Sequence, residues 1–163
     1  MSEMFFSGTG IAETLGVIRL VREGGKNHEV SMAELADATG MNIDDLLPII
    51  EACRMLGFTK VSHGVVRLTP DGSKLNQQNF HVTVRAKLRK IEPFKTTVKM
   101  LSEYDRLNTK ELSELLYHEG ISLEDREGGH TASLRKLLIR WAVGCGLLEY
   151  NHVHDRWRLK ASI

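Results

Sequence analysis

The chain has 163 residues, 42% of them hydrophobic and 26% charged, with a formal net charge of +1. That composition sustains one core, or two small ones that support each other, and no apolar run reaches the ~18 residues that span a bilayer. Near-neutrality also excludes a strong overall field for nucleic acid, although residues 1–79 carry 7 Lys+Arg against 10 Asp+Glu and residues 80–163 carry 15 against 11.

Met1 to Phe6 lacks the basic flank and long apolar region of a signal peptide, so a cytoplasmic location is expected. Met4-Phe5-Phe6 is an apolar patch that packs either within the monomer or across a homodimer. Gly8-Thr9-Gly10 has neither the preceding strand nor the full spacing of a phosphate loop. Ile11, Leu15, Ile18 and Val21 recur at helical spacing and predict an amphipathic helix stopped by Gly24-Gly25. Ser31, three residues before Glu34, predicts a capping box for a second helix that carries Leu35 and Ala36 inward and ends near Gly40.

In the next helix Pro48 favours Asp44 or Asp45 over Asn42 as N-cap, because proline is tolerated best in the first turn. Leu46, Ile49, Ile50, Cys53 and Leu56 form its buried stripe. Phe58 to Val61 and Val65 to Leu68 read as strands around the turn Ser62-His63-Gly64. Thr69-Pro70-Asp71-Gly72 closes the segment with turn chemistry.

Phe80, Val84, Leu88, Ile91, Phe94, Val98 and Leu101 step by three or four. They predict a long connecting helix, kinked or broken at Pro93, whose other face carries Arg85, Arg89, Lys90 and Lys99. Asn108 and Glu111 then open another helix, with Leu112, Leu115 and Leu116 inward. Gly120 to His130 reads as a polar loop. A final helix from about Thr131 to Val143 points Leu134, Leu137, Leu138 and Trp141 to the core and Arg135, Lys136 and Arg140 away. A closing hairpin contributes Leu147, Tyr150 and Trp157.

One pattern therefore occurs twice: helix, helix, Gly-hydrophobic junction, hairpin. Glu34-Leu35 matches Glu111-Leu112 at an offset of 77, and Gly57 matches Gly146 at an offset of 89. The second copy thus has 12 extra residues between its helices, where a helix-turn-helix has ~3–4. The expected fold is mainly α (α+β). Tandem winged-helix modules, each with a small β-hairpin wing, occupy residues 1–75 and 106–163, and a basic helix over 76–105 joins them.

Such an architecture implies recognition, not catalysis, and no cofactor is expected. His152 and His154 alternate on a predicted strand and share a face with Cys145 and His130 in reach, but a zinc site needs three or four ligands at fixed spacing. Cys53 and Cys145 fall on apolar helix positions and read as reduced core thiols. The second copy holds the nucleic-acid candidates. Thr131 and Ser133 stand at a helix start, Arg135, Lys136 and Arg140 lie along the helix, and Arg156 and Arg158 lie on the wing. Glu124, Asp125 and Glu127 oppose them from the adjoining loop. In the first copy Asp44, Asp45 and Glu51 repel phosphate, so with Arg85, Arg89 and Lys90 they are candidate protein contacts.

The run from Ala36 to Ala52, followed by Leu56-Gly57-Phe58 and Val66-Arg67-Leu68-Thr69-Pro70-Asp71-Gly72, resembles the AAA-associated C-terminal domain family. The similarity extends over about Ile11 to Leu159. That domain follows the ATPase domain in some archaeal and bacterial ABC-transporter ATPases of the nitrate, sulfonate and taurine class, and it also occurs alone. The resemblance implies a non-catalytic regulator or adaptor, with an ABC-type ATPase as protein partner. The alternative is a double-stranded-DNA-binding transcription regulator using the 131–143 helix and the 152–158 wing.

Overall fold

The apolar spacing that begins at Ile11 forms α1 (Ile11–Glu23) in the computed structural model of the protein, which describes residues 5, 9–24, 26–123 and 129–160. Gly24 caps it, its N–H reaching Leu20 O at 2.8 Å. The buried stripe is Thr14, Val17, Ile18 and Val21, with Ile11 and Leu15 only half-buried. Thr14 tolerates burial because its hydroxyl donates to Gly10 O at 3.1 Å. The expectations for Met4, Phe6, Gly8, Glu124, Asp125 and Glu127 lie outside the described residues.

Contact density divides the chain into two units, the described parts of Ser7–Thr83 and of Val84–Ile163, with Phe5 belonging to the second. The first contains a strand that the periodicity does not predict. β1 (Glu29–Ser31) pairs antiparallel with β3 (Val65–Leu68), and Val30 stands opposite Val66. Three residues are too few to display a period-2 pattern. β3 also pairs with β2 (Thr59–Ser62), giving a three-stranded sheet of order β1-β3-β2 in place of the expected simple hairpin. His63 and Gly64 make its two-residue turn at φ 50° and 73°, the left-handed pair that matches strand twist.

Ser31 caps α2 (Met32–Thr39), accepting from Glu34 N at 3.1 Å. The expected box is half formed. The Glu34 carboxylate accepts from the Ser31 hydroxyl at 3.1 Å, and Ser31 itself stands opposite Val65 in the sheet. α3 (Ile43–Met55) begins earlier than Pro48 implies. Asn42 is the N-cap, accepting from Asp45 N at 2.9 Å. Asp44 and Asp45 therefore occupy the first turn, where carboxylates meet the positive end of the helix dipole. Pro48 lies inside the helix; it and Asp44 are exposed, so water reaches the carbonyl that proline leaves unpaired. Leu35, Leu46, Ile50, Cys53, Leu56, Phe58 and Val66 form the core here.

Thr69 locks the end of β3 to the start of α4 (Pro70–Ser73). Its hydroxyl donates to Gly57 O at 2.6 Å and accepts from Gly72 N at 3.0 Å. The Arg22 guanidinium clasps the same turn through Gly72 O at 3.1 Å and Leu75 O at 2.6 Å.

The long helix expected to kink or break at Pro93 does break there, into α5 (Phe80–Leu88) and α6 (Phe94–Glu103). Pro93 lacks the N–H to continue the ladder and disfavours helix at the residue before it. Glu92 restarts the chain, its carboxylate accepting from Thr96 N at 3.1 Å and Thr96 Oγ1 at 2.6 Å. α7 (Thr109–His118) opens with a complete capping box: Asn108 accepts from Glu111 N at 2.7 Å, and Glu111 accepts from Asn108 N at 3.0 Å.

The extra length of the second copy falls between α7 and α8 (Gly129–Leu137), where Ile121 and Leu123 are buried. The last helix is not uniform. Residues Leu138–Val143 widen into a π-helical turn, with Gly144 N on Ile139 O at 3.2 Å and Leu147 N on Ala142 O at 2.8 Å. Leu134, Leu137, Leu138 and Trp141 are buried as their spacing predicts. Phe5 joins them, its ring 4.8 Å from that of Trp141 and 5.7 Å from that of Phe94. β4 (Leu148–Asn151) and β5 (Arg156–Leu159) form the closing hairpin, with Tyr150 opposite Trp157 and Glu149 opposite Arg158.

Candidate functional site

The closing hairpin is held in place by one buried hydroxyl. Thr109, the first residue of α7, is fully buried. Its Oγ1 accepts from Trp157 Nε1 at 2.9 Å and donates to Asp155 Oδ1 at 2.5 Å. Tyr150 OH donates to the same carboxylate oxygen at 2.8 Å. Burial alone would raise the Asp155 carboxyl, but the hydrogen bonds from Thr109 and Tyr150, with the Arg135 charge beyond, hold it below the usual carboxylate range. Trp157 N donates to Leu107 O at 2.8 Å, fixing β5 to the segment before α7.

This frame fixes the hairpin's tip. Asn151 Oδ1 accepts from Val153 N at 3.0 Å and His154 N at 3.1 Å, an Asx turn. Asp155 takes a left-handed φ of 50°. His152 and His154 therefore lie in the connection between β4 and β5, not on a strand, and the shared face that alternation gives them does not exist. Among the described residues no three His, Cys, Asp or Glu side chains gather as a metal-ligand set.

Beside the tip is a groove of about 760 Å³, lined by Arg106, Tyr150, His152, His154, Arg156 and Arg158 together with hairpin neighbours including Glu149. The Tyr150 ring stacks on Trp157 with centroids 4.1 Å apart, and His152 meets it edge-on at 4.7 Å. Arg158 pairs across the strands with Glu149 at 2.5 Å, and Arg156 lies 3.9 Å from Glu111. All four are substantially exposed, so these pairs are weak restraints. Arg106 is exposed too. It belongs to no periodic segment, which is why spacing does not single it out.

The helix part of the candidate nucleic-acid surface is arranged differently. Thr131 and Ser133 are half-buried. Arg135 points toward Asp155, 3.9 Å away, and its Nε is enclosed. Lys136 and Arg140 are exposed. Arg85 is not an outward contact. Its Nε donates to Cys145 O at 3.1 Å and its guanidinium lies over Gly146, closing the turn after the π-helical segment. Arg89 and Lys90, just beyond α5, are exposed.

In the other unit α3 presents a mixed face. Ile43 and Leu47, one helical turn apart, are each 47% exposed. Asp44, Asp45 and Glu51 are exposed on the same helix. Arg54 forks onto Glu51 and is the chief cause of that carboxyl's lowered pKa. The aliphatic pair escapes a reading by charge alone, although its spacing of four is visible in sequence. Both cysteines are buried free thiols, and burial pushes Cys53 up to about 12. The groove supplies cations, and α3 supplies an apolar pair framed by carboxylates; both arrangements suit binding.

No helix among the described residues is long and apolar enough to cross a membrane. The family profile described as C-terminal AAA-associated domain matches residues 33–151, well over half of the chain. No curated protein matches it.

Proposed function

The chain belongs to the C-terminal AAA-associated domain family, and from that membership we propose that it is a non-enzymatic regulator or adaptor that acts through protein contacts on an ABC-type ATPase. The observation that carries this reading is the outer face of α3. Ile43 and Leu47 offer apolar area to a partner, and Asp44, Asp45 and Glu51 bar a phosphate backbone from the same place. The element order α1-β1-α2-α3-β2-β3, with sheet order β1-β3-β2, supports a winged-helix module in the first unit. The repeat of capped helix, helix and hairpin from Asn108 supports a second.

A photo-crosslinking residue at position 47, introduced in the native cell, tests the proposal. The expected product joins this chain to an ATPase subunit, and Leu47→Asp abolishes the effect of the purified protein on that subunit's ATP hydrolysis. Crosslinks that contain no ATPase, with hydrolysis indifferent to the wild-type protein, overturn it. The duplex-DNA reading loses ground at its helix, because Thr131, Ser133 and Arg135 are half-buried. The hairpin cations stay open.

A further inference from the structure

Ile43 and Leu47 are both exposed on α3. A helix turns by about 100° per residue, so the two stand about 40° apart on its circumference. Asp44 and Glu51, about two turns apart, share one line beside Leu47. That line lies opposite the buried Ile49 and Cys53, so it is the middle of the outward face. Pro48, also exposed, flanks it on the other side. Apolar groups and carboxylates therefore alternate across this face.

The charge around it has one sign. Helices α2 and α3 hold Glu34, Asp37, Asp44, Asp45 and Glu51 against one cation, Arg54. All five carboxylates are exposed, and Arg54 is held on Glu51. Apolar area alone would suit any hydrophobic segment; the carboxylates narrow the choice. They repel an acidic segment or a phosphate backbone. A partner helix with apolar residues spaced by four covers Ile43 and Leu47 from one side. Lys or Arg beside its stripe then meet Asp44 and Glu51, and their aliphatic stems add apolar contact. We propose that the outward face of α3 docks a basic amphipathic helix of the partner. The inference rests on the reading of α3 as the partner-contact face and adds the chemistry of what it meets.

Fluorescence anisotropy on the full chain tests it. The probe is a labelled designed peptide of about 18 residues, with Leu on one helical face and Lys on the other. Two controls accompany it: the same pattern with Glu for Lys, and the same composition shuffled to abolish the stripe. The Leu/Lys helix binds at least ~10-fold more tightly than either. Leu47→Ala weakens binding ~10-fold and leaves its salt dependence unchanged, because it removes apolar area. Asp44→Lys weakens binding ~5-fold at about 50 mM salt and less at about 200 mM. Circular dichroism checks each fold, and Ile43→Ala serves as a second apolar variant. Absence of binding, a control peptide that binds as well, or indifference to the apolar variants or to Asp44→Lys each overturns the proposal. An ATPase crosslinked through position 47 while the Leu/Lys helix fails to bind overturns this inference alone. Binding of the Leu/Lys helix at α3 with no ATPase crosslinked upholds it and overturns only the choice of an ATPase as partner.

Discussion

Thr109→Val removes one oxygen from a site with no exposure and preserves the side chain's shape. Two interactions disappear together. Trp157 Nε1 loses its acceptor inside the core, and Asp155 loses its shortest donor. A buried N–H left unpaired costs ~1–3 kcal/mol. The bond to the carboxylate adds about 1 kcal/mol, discounted because Asp155 is half-exposed and water replaces the donor there. Together they predict a loss of ~2–4 kcal/mol, or roughly a 1–2 M fall in urea midpoint at a slope of about 2 kcal/mol per molar.

Both tryptophans, Trp141 and Trp157, lie in the second unit, so fluorescence reports its unfolding directly. Thr109→Ser keeps the hydroxyl and loses only a methyl, at about 1 kcal/mol. The pH dependence follows from the lowered Asp155 value. A carboxyl lower in the folded state than in the unfolded chain stabilises the fold above the unfolded value, ~3.9. That contribution is lost as pH falls through the folded value. The difference between wild type and Thr109→Val therefore shrinks below about pH 4. A valine variant within ~0.5 kcal/mol of wild type at neutral pH would refute the role given to this hydroxyl.

Gly72→Ala places a methyl carbon 2.0 Å from the Phe58 carbonyl oxygen, a backbone atom that cannot swing aside. We expect a loss of ~2–3 kcal/mol, read as a lower melting temperature for the first unit, whereas Gly16→Ala, with nothing within 4 Å, is neutral or stabilising. Thr59→Val acts in the opposite direction to Thr109→Val. Thr59 Oγ1 is buried with no partner among the described residues, so removing it gains ~1 kcal/mol in denaturant titration. Cys53 and Cys145 resist alkylation at neutral pH in the native protein, because burial raises both thiols, and both react fully once denatured. Mass spectrometry after a timed iodoacetamide pulse checks this.

Helix positions, the two closing hairpins and the family are legible in the sequence because each rests on local chemistry. Apolar residues three and four apart mark a buried stripe, and Asn108 with Glu111 marks a cap whatever lies around it. His63-Gly64 turns a hairpin because glycine accepts a left-handed φ wherever it occurs. Other features depend on a second element and have no local signature. β1 exists as a strand because β3 lies beside it. Arg85 has the sequence context of a surface cation and becomes an internal clasp only when Cys145 and Gly146 arrive sixty residues later. His152 and His154 lose their shared face because Asn151 folds the tip back on itself. Arg106 becomes part of a groove only when Trp157 docks against Leu107. The sequence by itself determined which segments coil, turn and hide. Which polar groups are consumed in holding the fold, and which remain available to a ligand, was decided by packing, because a hydrogen bond needs both partners in place.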